Sequence, residues 1–351
     1  MPIVADVADL LVGVDTHRDA HQMTIATPAG REVLTASIGN DDAGFARGVE
    51  LITVHAPGPA VFIGIEGARS YGLGLLRAFT AAGFTVIEVE QPHRKDRRGV
   101  GKSDQIDAML AVKFLAGCDL DRLPTPRADG DRDALRMLLI ARENLTTSAT
   151  AATNRLRALL LAGDDRDRTL ARGRLPLATL TTIRRRRPPA DADRASRVRH
   201  DELHRLAGDL AEHRRRLKTN HAQILEIVHD IAPRLLQLTG VGPIGAATAI
   251  LAYSHTGRIR NDAAFAALAG VSPLPASSGR ITRHRLNRGG DRALNKAIYT
   301  IAITRERCDP TTKTYIARRS AQGRTRREIR RCLKRYITRQ LYRELTAALT
   351  T

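Results

Sequence analysis

Tryptophan is absent from this 351-residue chain, and aromatic residues make up only 3% of it. Residues 280–351 hold just Tyr299, Tyr315, Tyr336 and Tyr342, widely spaced, which argues for a phosphate-tracking surface over a base-stacking one. Cysteine is nearly missing too. Cys118, Cys308 and Cys332 lie far apart, with no CxxC or Cys/His spacing, which excludes a zinc motif and fits a reducing cytoplasm. No apolar run approaches the roughly 20 residues needed to span a bilayer. The N-terminal MPIVADVADLLVGVD is apolar but acidic and lacks the basic start of a signal peptide. The expectation is a soluble intracellular protein with no membrane partner.

What the chain does hold is charge, unevenly distributed. The net charge is +20. Residues 1–120 carry 11 Lys/Arg against 15 Asp/Glu, whereas residues 121–351 carry 46 against 22. A mildly acidic front and a strongly basic rear suggest carboxylate chemistry ahead of polyanion binding. The plain alternative is a set of solvated basic faces. A single-sign excess this large costs self-repulsion without a partner, which favours nucleic acid. With 42% apolar residues the chain can build real cores, and its length suits two or three units.

The first third alternates. Leu10–Asp15, Gln22–Thr27, Glu32–Ile38, Val61–Glu66 and Thr85–Glu90 read as strands, with helices at about 42–54, 70–82 and 103–117. Three closely spaced strands followed by alternating helix and strand predict a mixed sheet with helices on its faces, over residues 1–125. Residues 126–232 read as helical, broken at RRRRPPADAD (184–193) by repelling charges and prolines. Leu203, Leu210, Leu217, Ile224 and Ile231 recur every seven residues, while His213 and Asn220 interrupt the companion seam. That pattern suits a self-associating coiled-coil arm, or else an intramolecular hairpin with residues 131–161. Residues 233–351 read as a mostly helical module. In LTGVGPIGAATAIL (238–251) the turn at Gly240 and Gly242 could hold a DNA phosphate on backbone N–H groups. GRTRREIRRCLKRYITRQ follows, with Arg326, Arg327, Arg330, Arg331 and Lys334 as phosphate-binding candidates.

The stretch GVGKSDQIDA (99–108) resembles the end of a nucleotide phosphate loop, but that loop needs glycine at 96, where this chain has Asp96. Its second half, with Asp104 and Asp107 three apart on a predicted helix, fits better with Asp15 and Glu66 at two strand ends. Four converging carboxylates would suit Mg²⁺, a hard cation, and two such ions could clamp a phosphodiester. Alternatively Asp15 caps a turn, Glu66 pairs with Arg69, and the helix pair faces solvent.

The order GVDTH … IEGARSYG … KSDQIDA resembles the DEDD signature of bacterial insertion-sequence transposases with a RuvC-like N-terminal domain, relatives of the Piv-type DNA invertases. LTGVGPIGAATAIL and FAALAGVSPLPASSGRITRHRLNRGGDRALNKAIY (265–299) resemble that family's second domain, so the likeness spans nearly the whole chain. Ser103 and Ser277 depart from the commoner residues at those positions. The resemblance implies an RNase H-like α/β domain whose Asp15, Glu66, Asp104 and Asp107 bind two Mg²⁺ ions, with Mn²⁺ as a substitute. It implies Ser278 as nucleophile, with Ser277 its nearest rival. Arg280, Arg283, His284, Arg285 and Arg288 could stabilise charge beside it. The implied partners are element-end and target DNA, further copies in a dimer or tetramer, and in some relatives a structured guide RNA. The implied place is the bacterial cytoplasm, at the nucleoid when acting. Two rival functions stand beside this one: a metal-dependent junction resolvase using water, and a non-catalytic nucleic-acid-binding protein.

Overall fold

A computed structural model of the chain describes residues 2–89, 103–124, 126, 130–188, 190, 192–255, 258–275, 284–285, 287 and 289–349. In chain order the elements begin with α1 (Val4–Val7), β1 (Leu10–Thr16), β2 (Ala20–Ala26), β3 (Glu32–Gly39), α2 (Asp42–His55) and β4 (Val61–Glu66). Next come α3 (Leu73–Ala81), β5 (Thr85–Val89), α4 (Asp104–Ala116), α5 (Gly130–Leu161), α6 (Asp165–Arg172), α7 (Leu177–Arg185) and α8 (Arg194–Ile231). The remainder is α9 (Pro233–Gln237), α10 (Pro243–Tyr253), α11 (Asp262–Leu268), β6 (Leu274–Pro275), β7 (His284–Arg285), α12 (Arg292–Cys308), α13 (Pro310–Ala321) and α14 (Arg326–Leu349). Two compact units result. One joins residues 1–133, 252–291 and 338–351; the other joins 134–251 and 292–337.

In the first unit five strands form one sheet in the order β3-β2-β1-β4-β5. β1, β2 and β3 pair antiparallel, as their short connections dictate, and β4 and β5 join parallel to β1 and to each other. The expected mixed sheet with helices on its faces is therefore present. Strand side chains alternate between faces. Leu10, Val12 and Val14 of β1 meet Met23, Ile25, Ile63, Ile65 and Phe79 on one face. Leu11 points the other way, into a cluster with Ile87, Val112 and Leu115 beneath α4.

Two glycines on that second face set the depth of α4. A Cβ on Gly13 would lie 2.8 Å from the Val112 backbone nitrogen, and one on Gly64 would lie 3.5 Å from the Ala111 carbonyl oxygen. The helix thus rests directly on backbone, and its N-terminus ends above the carboxyl ends of β1 and β4. Elsewhere in this unit β6 and β7 pair antiparallel, Leu274 with Arg285 and Pro275 with His284.

The second unit contains the long helices. α5 and α8 run antiparallel: Ala152, Leu156 and Leu160 share a core with Leu203, Leu206, Ala207 and Leu210, and with Leu180 and Ile183 of α7. Asn220, which interrupts the leucine seam, is buried and donates from Nδ2 to the Leu138 carbonyl at 2.8 Å. Arg142 in turn donates to the Asn220 side-chain oxygen at 3.3 Å. The seam is thus used within the chain, as a hairpin. Residues 186–193 link α7 to α8, where the proline-rich basic run was expected to break the helix. Among the described residues, no helix is long and apolar enough to cross a membrane.

Candidate functional site

β1 and β4 lie side by side in parallel register, with Val14 opposite Ile65, so Asp15 and Glu66 occupy the next positions of the same ladder. Adjacent strands are about 4.8 Å apart. Both acids share the parity of Gly13 and Gly64 and so belong to the face that α4 covers. The two strand ends are tied together, since the Thr16 hydroxyl donates to the Glu66 carbonyl at 2.7 Å. Gly67 follows at φ +73°, and a Cβ there would press on Thr16 Oγ1 at 2.5 Å, which explains why glycine comes directly after the acid.

α4 delivers the other two acids. Ser103 caps it, its hydroxyl accepting from the Ile106 N–H at 3.3 Å. Asp104 and Asp107 fall in the first turn, where the helix dipole favours negative charge. Asp107 is buried and Asp104 is exposed, with its side chain 61% accessible. His17, one residue past the end of β1, reaches both Asp15 and Asp104. Its Nε2 lies 3.1 Å from Asp15 Oδ2 and 3.4 Å from Asp104 Oδ1. Asp15, His17 and Asp104 together present ligand atoms within 4.8 Å of one another. The histidine was not foreseen, although the spacing in Asp-Thr-His (two residues apart at a strand end) could have signalled it.

The charges feel each other. Burial pushes the Asp15 carboxyl above its ordinary range; His17 pulls it back, and Asp107 and Asp104 push it up again. A divalent cation is the species such a set would hold, because it offsets both the burial and the mutual repulsion of the acids. The suggested pairing of Glu66 with Arg69 does not form. Arg69 Nε instead binds Glu88 Oε1 at 3.1 Å, and Glu88 lies on the opposite sheet face.

The remaining sequence candidates have other surroundings. Ser277, Ser278, Arg280, Arg283 and Arg288 lie outside the described residues, as does the GVGK stretch, and His284 and Arg285 are described only as backbone in β7. Gly240 takes φ +79°, and a Cβ there would lie 3.2 Å from the Ile301 carbonyl, while one on Gly242 would meet open space. The turn is held by Arg305, whose Nε donates to the Thr239 carbonyl at 2.6 Å. Arg326, Arg327 and Arg331 are exposed on α14. Arg330 is spent inside the unit, with Nε 2.6 Å and Nη2 2.8 Å from the two Glu306 oxygens. Lys334 donates to Asn295 Oδ1 at 2.7 Å, half-buried, and burial lowers its pKa.

An α/β unit with clustered acids in a chain whose rear is strongly basic has the make-up of a protein that acts on nucleic acid. Known families sharpen the class. A DEDD transposase family matches residues 12–162, and the Transposase IS116/IS110/IS902 family matches residues 232–317. The class is therefore that of transposases. The 43.6 kDa protein of insertion element IS110 from Streptomyces coelicolor is 25% identical, over 90% of this chain and 89% of its own length. The 42 kDa protein of insertion element IS900 from Mycobacterium paratuberculosis is also 25% identical, over 89% of each chain. Two matched regions and both relatives together mark the chain as an insertion-sequence transposase.

Proposed function

We propose that this transposase cuts and rejoins DNA strands with Asp15, Glu66, Asp104 and Asp107 as metal-binding carboxylates and Ser278 as nucleophile. The observation that carries this reading is that Asp104 of α4 comes within ligand distance of Asp15 of β1, and strand register sets Glu66 of β4 at the position beside Asp15. The strand order β3-β2-β1-β4-β5 supports an RNase H/RuvC-like assignment for residues 1–125. The donor set is oxygen-rich, which suits Mg²⁺ or Mn²⁺. A pair of such ions, when bound, would neutralise developing charge on a scissile phosphate.

The chain's own groups do the rest. Asp15 and Glu66 are fixed by strand register, and Asp107 by burial under a capped helix, so their positions are set before substrate arrives. The Ser278 hydroxyl would attack phosphorus and give up its proton as one deoxyribose oxygen leaves with a proton. A phosphodiester is thereby exchanged for a phosphoserine ester, and the bond energy is kept for rejoining without ATP. Arg280, Arg283, His284, Arg285 and Arg288 supply positive charge for that step. Gly240, Gly242, Arg326, Arg327 and Arg331 contact the DNA backbone. Assembly into a dimer or tetramer would bring one copy's acids to another's serine. The basic rear of the chain suits element-end and target DNA, and a structured guide RNA as in some relatives.

The test is a denaturing gel of protein, Mg²⁺ and element-end DNA. A covalent protein–DNA band is expected from the wild type, none from Ser278→Ala, and none from Asp104→Asn. A band that persists in Ser278→Ala would move the nucleophile elsewhere. Cleavage with no adduct in either protein would favour a water-using resolvase.

A further inference from the structure

We infer that His17 is itself a ligand of the divalent-metal site, a nitrogen donor beside the carboxylates of Asp15 and Asp104. The inference rests on the metal-binding reading above and adds to it a residue outside the acid signature. His17 follows β1 directly, two residues after Asp15, and its ring returns over the acid. Nε2 stands 3.1 Å from Asp15 Oδ2 and 3.4 Å from Asp104 Oδ1. Neighbouring ligands on an octahedral ion with bonds near 2.1 Å are separated by about 3 Å, so these spacings are already those of adjacent corners. The neutral ring with its hydrogen on Nδ1 presents the Nε2 lone pair toward the position an ion would take.

Accessibility supports the same assignment. The His17 and Asp104 side chains are 52% and 61% exposed, whereas Asp15 is 11% exposed. An arriving cation therefore meets a half-open rim of imidazole and carboxylate above a buried carboxylate. The chemical consequence is selectivity. An all-carboxylate set treats Mg²⁺ and Mn²⁺ as similar hard ions, but an imidazole donor favours first-row transition ions over Mg²⁺. His17 thus biases the site toward Mn²⁺.

The experiment uses the full chain with Mn²⁺ alone, read by electron spin-echo modulation and by titration calorimetry. Wild type is expected to show nitrogen-14 modulation, and both His17→Ala and His17→Gln are expected to lose it while still binding. Mn²⁺ affinity should fall on the order of 10-fold in both variants, the scale for losing a tuning group at a metal site. Mg²⁺ affinity should fall less. Saturable Mn²⁺ binding by wild type with no nitrogen modulation would overturn the inference and make His17 an ion-pair partner, leaving the carboxylate site standing. Mn²⁺ binding that is absent, or unchanged in Asp104→Asn, would overturn the metal-binding reading as well.

Discussion

Asp15 is held where its own charge is costly. Burial is the largest cause of its raised pKa, and Asp107 and Asp104 add to it against the opposing pull of His17. A carboxyl with a raised folded pKa contributes stability that is complete below its unfolded pKa and lost as pH rises through the folded value. At neutral pH the metal-free protein has therefore lost that contribution, and Asp15→Asn should restore it. In EDTA at about pH 8 the variant is expected to melt no lower than wild type, with the gap closing near pH 4. Added Mg²⁺ should then raise the melting temperature of wild type alone. A variant that melts well below wild type in EDTA at the higher pH would sink this account. Glu306 has the opposite sign. The Arg330 hydrogen bonds, then Arg326, hold its carboxyl below the usual range, so that stability is present above the unfolded pKa and lost on acidification. The Glu306 side chain is only 4% exposed, so Arg330→Met should cost about 3 kcal/mol in urea unfolding at neutral pH, and less in acid. These residues also mark what a sequence can disclose. Asp15 and Glu66 were legible because strand ends leave a local signature, whereas the Arg330 partner lies 24 residues away on another helix and leaves none.

The element that assembles the site is α4, and it was legible for a physical reason. Ser103 followed by acids and then an apolar run is a helix start in any context, and the structure begins the helix at Asp104. What the residue pattern did not disclose is how close the helix lies to the sheet. That depends on Gly13 and Gly64, which carry no side-chain information of their own. Gly13→Ala should force the helix outward, costing about 1–3 kcal/mol by overpacking, and should weaken Mn²⁺ binding although no ligand is changed. Ser103→Ala should cost about 1 kcal/mol through the lost cap. Calorimetric titration beside thermal melts separates the two, and full metal affinity in Gly13→Ala would show that helix depth does not set the site. The α5–α8 pair teaches the converse lesson. A heptad is equally readable as a seam between chains or within one, because periodicity gives the apolar face and not its occupant. Asn220 decides it here, through Leu138 and Arg142 of the same chain. Replacing it with Leu should cost about 1–3 kcal/mol, since the Leu138 carbonyl would lose its donor; a stabilised variant would point to a seam shared between chains.

Across the whole chain, charge is divided as the sequence displays it, but side-chain partners decide which cations remain for a ligand. The net charge of +20 predicts DNA binding with a steep salt dependence, because each phosphate neutralised releases counterion. Arg327 and Arg331 are exposed on α14, while Arg330 lies between them in sequence and is committed to Glu306. Two variants of equal charge loss should therefore behave differently. Arg331→Ala is expected to lower the slope of log affinity against log salt by about 1, with stability changed by less than about 0.5 kcal/mol. Arg330→Ala is expected to reduce stability while leaving the slope of the folded fraction near that of wild type. Fluorescence anisotropy with a labelled duplex, between about 50 and 200 mM salt, measures the slope, and urea unfolding of the same preparations measures stability. If Arg330→Ala lowers the slope as much as Arg331→Ala and unfolds like wild type, then Glu306 releases its arginine when DNA binds, and the ion pair belongs to the free protein alone.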